Sequence, residues 1–509
     1  MFNPNALDLT PQDTESGSIA WLPDLLYVAG RFERDLALVC GRDGRITKIT
    51  SDVEGVGRVV RLPRRAMLPG LVNAHSHAFQ RVIRGRTEYR SAVSPRDSFW
   101  TWRDVMYSAA ARLTPDDIYD ASRMAFLEMA SGGITAVGEF HYLHHAPDGR
   151  PYNDPNLLAK QVIRAARDVG LRIALLRVAY ARAGFQQLPD ARQARFIEPD
   201  PQTYLRHVDE LQNHLMRDDE GRHDEGAWVG VAPHSVRAVP LDFLREVGAF
   251  ADERQLPFHM HVAEQPAEVS ACVAEHGRAP IALLADKGLL NARFTGVHAI
   301  HVTSGEISAL SAARARICAC PTTERNLGDG IIPADRFFAA NVPIALGTDS
   351  HTQIDLLEDA RELEYHLRLQ KLERNILASP IEPNISSSDG DDDSNDDEKR
   401  AAETMSISAL AARLFDCATI HGAASIGAPG GELTVGHPAD FFTVSLDDSS
   451  IAGASRDDLL ATILFSLART AVRDVVVGGH IIIDDTRHHQ SSEIVERFAA
   501  LQQRVWGKR

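Results

Sequence analysis

The chain has 509 residues, of which 44% are hydrophobic and 24% charged, and its 54 basic and 70 acidic side chains give a formal net charge of −16. This composition is typical of a globular protein and excludes collagen-like and low-complexity chains. The acidic balance argues against nucleic acid or an anionic membrane surface as a partner, because both require clustered lysine and arginine.

The amino-terminal segment and the cysteines indicate a protein that is not exported. The chain begins with MFNPNALDLTPQDTESGS, which is polar and acidic and lacks the apolar core of a secretory signal. No apolar run approaches the roughly 20 residues that a membrane-spanning helix needs. Five cysteines without a CxxC pair predict buried, reduced thiols. The cytoplasm is therefore the expected location.

The two flanks of the chain have the pattern of β-strands. Residues 18–66 alternate apolar and polar side chains around a GRDGR turn, and residues 428–487 show the same alternation. We predict that residues 1–66 and 426–509 pair into one small discontinuous β-sandwich. The carboxy-terminal helical pattern SEIVERFAALQQRVW would pack on the outside of the protein.

Residues 67–425 between the flanks predict an α/β barrel. Eight apolar runs, starting at residues 67, 133, 171, 228, 256, 294, 314 and 342, alternate with amphipathic helical patterns, and seven of them end in polar or ionisable residues. Strands that alternate with helices predict a parallel (β/α)₈ barrel of the TIM type. The active site of such a barrel lies at the carboxy-terminal ends of its strands.

One segment interrupts this composition after the last barrel strand. Residues 386–400, SSSDGDDDSNDDEKR, contain seven acids, two bases and no large apolar residue. Because nothing in the segment can be buried, we predict a solvated, disordered insertion. A role as an acidic docking or metal-collecting segment is the alternative.

Several barrel strands end in side chains that bind metal ions. His75 and His77 close the first strand, and residues i and i+2 of a strand face the same side, so both imidazoles can bind one ion. An HxH pair alone is a weak indication. However, His261 closes the fifth strand, and Asp349 ends the eighth, where a carboxylate is costly to bury without a cation. Three histidines and an aspartate leave a zinc ion one open position for water.

Other polar residues near these strand ends are candidates for proton transfer. Glu264 follows His261 by three residues, leaves the strand, and can serve as the proton shuttle beside an activated water. Its alternative role is that of an acid at a helix amino terminus. His298 at the sixth strand is a further inward candidate, whereas His259 and His301 are interpreted as packed structural histidines.

Taken together, these features resemble the amidohydrolase superfamily. They are the HxH pair, the histidines at strands five and six, the aspartate at strand eight and the β-rich flanks. The resemblance covers nearly the whole chain and implies a barrel with a small β-sandwich and water activated by a metal ion. Members with two ions commonly bridge them with a carboxylated lysine at the end of strand four. Between His77 and His261 the chain has one lysine, Lys160, in a helical pattern. One Zn²⁺ per chain is therefore expected.

Within that superfamily the sequence is similar to the formimidoylglutamate deiminases. The segments that carry this similarity are NAHSHAFQR, DSFWTWRDVMY, EFHYLHH, PHSVRAV, HVAEQ, NLGDGIIP and GTDSH. The implied zinc ligands are His75, His77, His261 and Asp349; the implied catalytic residues are Glu264, His298 and Asp349; and the implied substrate contacts are Gln80, Arg103, Tyr142, His234 and Arg237. The implied reaction, a step of histidine degradation, hydrolyses N-formimidoyl-L-glutamate to N-formyl-L-glutamate and ammonia.

Two arginines suit the two carboxylates of that substrate, because the planar guanidinium forms two parallel hydrogen bonds with a carboxylate. Arg237 leaves the fourth strand toward the site, and Arg103 lies beside Phe99, Trp100 and Trp102 on a long loop that can form a lid. A surface ion pair is the alternative for either arginine.

Two other functions stay open. The first is deamination of an amino-heterocycle such as guanine or cytosine, and the second is ligand binding by a barrel without turnover. Barrels of this type are commonly homodimers, but the sequence does not determine the oligomeric state.

Overall fold

The structure is a computed structural model that describes residues 17–89, 97–216, 226–378 and 409–507. The acidic segment 386–400 lies outside these ranges, so its predicted solvation stays a prediction.

The strands fall into three groups along the chain. The amino-terminal flank contains β1 (Ile19–Val28), β2 (Arg31–Glu33), β3 (Ala37–Cys40), β4 (Ile46–Thr50) and β5 (Arg58–Pro69). The central region contains β6 (Leu71–Ser76), β7 (Ile134–His141), β8 (Arg172–Ala179), β9 (Ala227–Pro233), β10 (Phe258–Val262), β11 (Phe294–His298), β12 (Arg316–Ala319) and β13 (Ile344–Leu346). The carboxy-terminal flank contains β14 (Phe441–Ser445), β15 (Val472–Val477) and β16 (His480–Ile483).

The two flanks form one discontinuous β domain, which confirms the prediction that they pair. Its eight strands make a single mixed sheet in the order β16-β15-β14-β5-β1-β3-β4, with β2 on β1. The antiparallel pair β14 and β5, with Phe441 opposite Pro69, joins the carboxy-terminal flank to the amino-terminal one. The domain has its own apolar core, in which the rings of Trp21 and Phe441 meet edge to face at 5.3 Å.

Strands β6 to β13 form the predicted parallel barrel, in which neighbours in sequence are neighbours in the sheet. The chain just after β13 returns to β6 and closes it. The backbone N–H of Asp349 donates to the carbonyl oxygen of His75 at 3.0 Å, and the N–H of His77 donates to the carbonyl of Asp349 at 3.1 Å. Three candidate metal ligands therefore lie at the point where the barrel closes.

Helices follow the barrel strands and cover them with their apolar faces. Pro115–Ala130 begins with a capping box at Thr114, and Leu157–Val169 ends at Gly170 in a left-handed conformation. The other α-helices with both ends described are Phe99–Ala110, Pro201–Leu215, Leu241–Arg254, Pro266–His276, Pro280–Asp286, Ser304–Ala312, Pro321–Leu327, Ala334–Ala339, Leu356–Lys371, Ile420–Ile426, Leu459–Ser466 and Ser491–Trp506. Residues 409–418 are also helical.

Two further expectations concern membranes and thiols. Among the described residues, none of the helices combines the length and the apolar character that crossing a bilayer requires. The five cysteines, Cys40, Cys272, Cys318, Cys320 and Cys417, are all buried, and none forms a disulfide.

Candidate active site and metal centre

Three histidines and one aspartate converge at the carboxy-terminal end of the barrel. His75 and His77 come from the end of β6, His261 from β10, and Asp349 from the loop after β13. Their ligand atoms all lie within 4.8 Å of one another, and all four side chains are buried. Nε2 of His75 and Nε2 of His77 lie 3.3 and 3.2 Å from Oδ1 of Asp349. Three imidazoles and a carboxylate are donors that suit a zinc ion.

Hydrogen bonds orient two of these imidazoles toward the cluster. Nδ1 of His77 lies 2.9 Å from the carbonyl oxygen of Phe140, and Nδ1 of His261 lies 3.2 Å from the carbonyl oxygen of His234. A ring that donates its Nδ1 proton to a carbonyl keeps a lone pair on Nε2 for a metal ion.

His75 supplies a test of whether a cation fits here. Both of its ring nitrogens are buried without a hydrogen-bond partner, and such atoms are costly to leave unsatisfied. Burial lowers the pKa of His75 to about 3, so the ring is neutral, as a metal ligand must be. A cation bound at Nε2, the nitrogen that faces Asp349, would satisfy that atom, so the residues present fit a metal ion.

The backbone around the site is strained where it positions functional side chains. Asp349 and His298 have φ angles of 41° and 71° in the left-handed region, which costs about 1–3 kcal/mol per residue and is often found at active sites. At Gly347, a Cβ atom would come within 2.7 Å of Cβ of His75. Only glycine therefore lets this segment pass so close to His75.

His298 lies among three carboxylates. Its Nε2 is 3.7 Å from Oε1 of Glu264 and 3.8 Å from Oδ2 of Asp349, and its Nδ1 is 3.3 Å from Oε1 of Glu324. Although burial opposes it, the charges of these carboxylates raise the pKa of His298 well above its ordinary value. Burial raises the pKa of Glu264 to about 7. A carboxyl with that pKa can both take up and release a proton near neutrality.

A buried polar network behind β6 was missed by sequence reasoning. Ser76, between the two ligand histidines, donates to Oε2 of Glu139 at 2.5 Å and lies 3.0 Å from Nε2 of His351. The other oxygen of Glu139 accepts from the backbone N–H of Ala78 at 2.8 Å. The only sequence signal was an ionisable residue inside the apolar run of β7. The network holds the segment that carries His77 in place.

A pocket with a cavity volume of about 50 Å³ opens beside the His/Asp cluster. All five residues expected to contact substrate line its wall, namely Gln80, Arg103, Tyr142, His234 and Arg237. Glu264, His298 and three of the four candidate ligands, His77, His261 and Asp349, also line it. His75 is fully buried beneath them. The remaining lining residues are mostly aromatic. Phe99 and Trp102 were expected near the site from the sequence, and the others are Met106, Tyr107, Tyr180, Phe196 and Leu327.

The two pocket arginines have unused hydrogen-bond donors. Nε and Nη1 of Arg103 and Nη1 of Arg237 are buried and have no hydrogen-bond partner among the described residues. The guanidinium of Arg103 lies 4.5 Å above the ring of Trp100. Arg192 on the same side of the molecule is instead exposed and pairs with Asp104 and Asp190. Unpaired guanidinium donors in a pocket suit an anionic ligand.

Three other residues considered in the sequence bond elsewhere. Nε2 of His259 lies 2.8 Å from the carbonyl oxygen of Ser425, and Nε2 of His301 lies 2.8 Å from that of Asp329. Lys160 lies in the helix Leu157–Val169, 2.7 Å from Asp154. It is therefore not part of the ligand cluster.

Comparisons with known sequences show what the chain is similar to. The sequence model of the amidohydrolase family matches residues 66–482. A formimidoylglutamate deiminase from Pseudomonas aeruginosa is 37% identical over 456 residues, which cover 89% of this chain and 92% of that protein. A 5-methylthioadenosine/S-adenosylhomocysteine deaminase from Pyrococcus abyssi is 25% identical over 459 residues, which cover 88% and 92%.

Solved structures show the same architecture. An amidohydrolase from Brucella melitensis has a TM-score of 0.82 and 31% sequence identity, and the match covers 96% of this chain and 99% of that one. An adenosine deaminase from Xanthomonas campestris, solved with bound zinc, has a TM-score of 0.74 at 22% identity and covers 96% and 98%. The likeness to the second protein concerns the fold.

Proposed function

The chain belongs to the amidohydrolase family and is a hydrolase acting on a C–N bond, and we propose that it hydrolyses N-formimidoyl-L-glutamate to N-formyl-L-glutamate and ammonia. The observation that carries this proposal is the pair of arginines, Arg103 and Arg237, with unpaired donors in the pocket beside the His/Asp cluster. A substrate with two carboxylates matches two such guanidinium groups. The 37% identity to a formimidoylglutamate deiminase supports the same substrate.

The cofactor that suits the donor set is one zinc ion per chain. His75, His77, His261 and Asp349 would hold it, since imidazoles and carboxylates are common zinc ligands. When bound, the ion lowers the pKa of water and polarises the group under attack. The pairing of Lys160 with Asp154 outside the cluster supports a single ion.

Glu264 and Asp349 are proposed to move the protons of the reaction. Glu264 takes a proton from the attacking water as the water oxygen bonds to the formimidoyl carbon, and Asp349 relays protons beside it. Glu264 then gives its proton to the nitrogen whose bond to that carbon breaks. As the former water oxygen forms the formyl C=O, its second proton passes to Asp349, and the nitrogen leaves as ammonia. The pKa of Glu264, about 7, suits both directions of transfer.

His298 is proposed to orient the water and to stabilise negative charge at the tetrahedral carbon centre. The neighbouring carboxylates keep its imidazole protonated, so Nε2 offers a hydrogen-bond donor toward Glu264 and Asp349. A donor fixed beforehand next to developing charge stabilises the transition state without reorganisation.

The remaining pocket residues are proposed to hold the substrate. Nε2 of Gln80 donates to the hydroxyl of Tyr142 at 2.8 Å, while its buried Oε1 has no partner. That oxygen can accept a hydrogen bond from an N–H of the formimidoyl group. His234, next to His261 in the pocket wall, would contact the same end of the substrate.

A second candidate is deamination of an amino-heterocycle, because rings such as Phe99, Trp102 and Phe196 could stack on a base. Ammonia release from N-formimidoyl-L-glutamate, N-formimidoyl-L-aspartate, guanine, cytosine and 5-methylthioadenosine separates the two. We expect the largest kcat/KM with N-formimidoyl-L-glutamate. Faster turnover of any of the three heterocyclic compounds would contradict the proposal. In the cell, the proposed reaction would be a cytoplasmic step of histidine degradation.

A further inference from the structure

Two tyrosine hydroxyls and a glutamine form a polar group in the pocket wall that no role above includes. Tyr107 lies on the helix Phe99–Ala110, Tyr180 directly follows β8, and both line the pocket. Gln193 lies behind them at the end of a short 3₁₀ helix. Its Nε2 is 2.8 Å from the hydroxyl oxygen of Tyr107 and 2.9 Å from that of Tyr180. All three side chains are buried.

The direction of these hydrogen bonds follows from the amide of Gln193. Its Oε1 accepts from the backbone N–H of Asp190 at 3.4 Å, so its NH₂ group faces the tyrosines. An amide nitrogen only donates, and both phenolic oxygens therefore accept. Each phenol still has one proton, and the hydrogen bond between the hydroxyls of Tyr107 and Tyr180 uses only one of the two. At least one phenolic proton therefore stays available for a ligand in the pocket.

His234 lies between the His/Asp cluster and the polar group of Tyr107, Tyr180 and Gln193. The rings of His261 and His234 stack with centroids 4.8 Å apart, and the rings of His234 and Tyr180 meet at 4.7 Å. On its other side, the guanidinium carbon of Arg103 lies 5.5 Å from the ring centroid of Tyr107. Unused donors from a phenol and a guanidinium thus meet in one part of the pocket, one imidazole away from the cluster.

We propose that Tyr107 and Tyr180, oriented by Gln193, bind the side-chain carboxylate of the substrate through the phenolic proton that stays free and thereby determine specificity for a dicarboxylate. The inference rests on the proposed function. In N-formimidoyl-L-glutamate this carboxylate is two methylene groups farther from the reacting carbon than the α-carboxylate, which matches a donor group set back from the cluster. Burial raises the pKa of the Tyr180 hydroxyl, which keeps its proton at neutral pH.

Phenylalanine variants test this assignment, because they remove the hydroxyls and keep the rings. Tyr107→Phe and Tyr180→Phe are compared on N-formimidoyl-L-glutamate and on N-formimidoyl-L-norvaline, in which a methyl group replaces the side-chain carboxylate. The double variant should lower kcat/KM for the first substrate about tenfold or more, mainly through KM. It should change kcat/KM for the second less than about threefold. Equal losses on both substrates would overturn the inference.

Gln193→Glu tests the donor direction with a side chain of nearly the same shape. A carboxylate accepts from both phenols and turns their protons away from the pocket. This variant should reproduce the KM increase of the double tyrosine variant on N-formimidoyl-L-glutamate, and an unchanged KM would count against the inference. Tyr27→Phe, which alters a buried tyrosine packed on Phe32 and Phe415, is the matched control and should leave both substrates unaffected.

Binding of glutarate, measured by calorimetry, separates this inference from the proposed function, since it needs no turnover. We expect the double tyrosine variant to bind glutarate about tenfold more weakly than the wild type. If the wild type does not hydrolyse N-formimidoyl-L-glutamate but the variants still weaken glutarate binding, the proposed function fails and the dicarboxylate site stands. Glutarate affinity that is the same in wild type and variants would overturn the site.

Discussion

Replacing either pocket arginine by methionine should weaken the reaction without affecting the metal. Methionine keeps an apolar stem of similar length and removes the guanidinium. Arg103 has two buried nitrogens without a partner and Arg237 has one. A hydrogen bond to a charged group contributes about 1.5–3 kcal/mol, so the loss of one such bond lowers kcat/KM by about 10- to 150-fold. We expect Arg237→Met to fall within that range and Arg103→Met to lose at least as much.

The assay is steady-state ammonia release from N-formimidoyl-L-glutamate, with the metal content of each variant measured in parallel. Arg192→Met is the matched control, because Arg192 is 55% exposed and pairs with Asp104 and Asp190; such a pair is worth little. Its kcat/KM should change less than about twofold. Arg237→Lys should recover only part of the loss, because an ammonium cannot make two parallel hydrogen bonds.

Two results would refute this reasoning. Normal kcat/KM in both methionine variants would show that neither guanidinium binds the substrate. A loss of bound metal in either variant would show that the substitution disturbs the His/Asp cluster instead of substrate binding.

Three other predictions follow from buried charges and ligands. Glu264→Gln should keep bound metal and lose at least about a hundredfold in kcat, because the proton shuttle is removed; a near-normal rate would make Glu264 a structural acid. His261→Ala should reduce bound metal per chain, and removing the metal with a chelator should lower the Tm of the wild type. An unchanged Tm and metal content would contradict the ligand assignment. Two ions per fully active chain would exclude a single-ion site. Glu198→Gln should lower the free energy of unfolding by about 3–5 kcal/mol, because it leaves the fully buried Arg177 without its counterion. Although burial opposes it, Arg177 holds the pKa of Glu198 below its ordinary value, so this contribution is present at neutral pH and is lost as the pH falls. Denaturant titrations at neutral and acidic pH measure it, and a cost under about 1 kcal/mol at neutral pH would contradict the estimate.

Much of the fold and the positions of the candidate ligands could be predicted from the sequence. The eight apolar runs correspond to β6 to β13, because strand length and alternation with helices are local properties. His77, His261 and Asp349 could be placed near one another without coordinates, since the strands of a parallel barrel all end at the same rim. The pairing of the two flanks was also predictable, because both show the apolar and polar alternation of β-strands.

Partners that are distant in the sequence could not be predicted. Ser76 and His351 are 275 residues apart and meet at 3.0 Å only because the chain after β13 returns to β6. Gln193 contacts Tyr107 from a 3₁₀ helix 86 residues farther along the chain. The sequence around these four residues contains no pattern that indicates either contact.

The pocket can bind a ligand through those polar atoms that have no hydrogen-bond partner within the protein. Which atoms these are can be seen only in the folded chain. The alternation along each strand predicts which side chains share one face of the barrel wall, because residues i and i+2 lie on the same side of a strand. Only the folded chain shows which polar atoms stay unpaired, among them Nε of Arg103, Nη1 of Arg237 and both ring nitrogens of His75. Whether a donor has a partner depends on every neighbour in space, and those neighbours come from segments that meet only when the barrel closes.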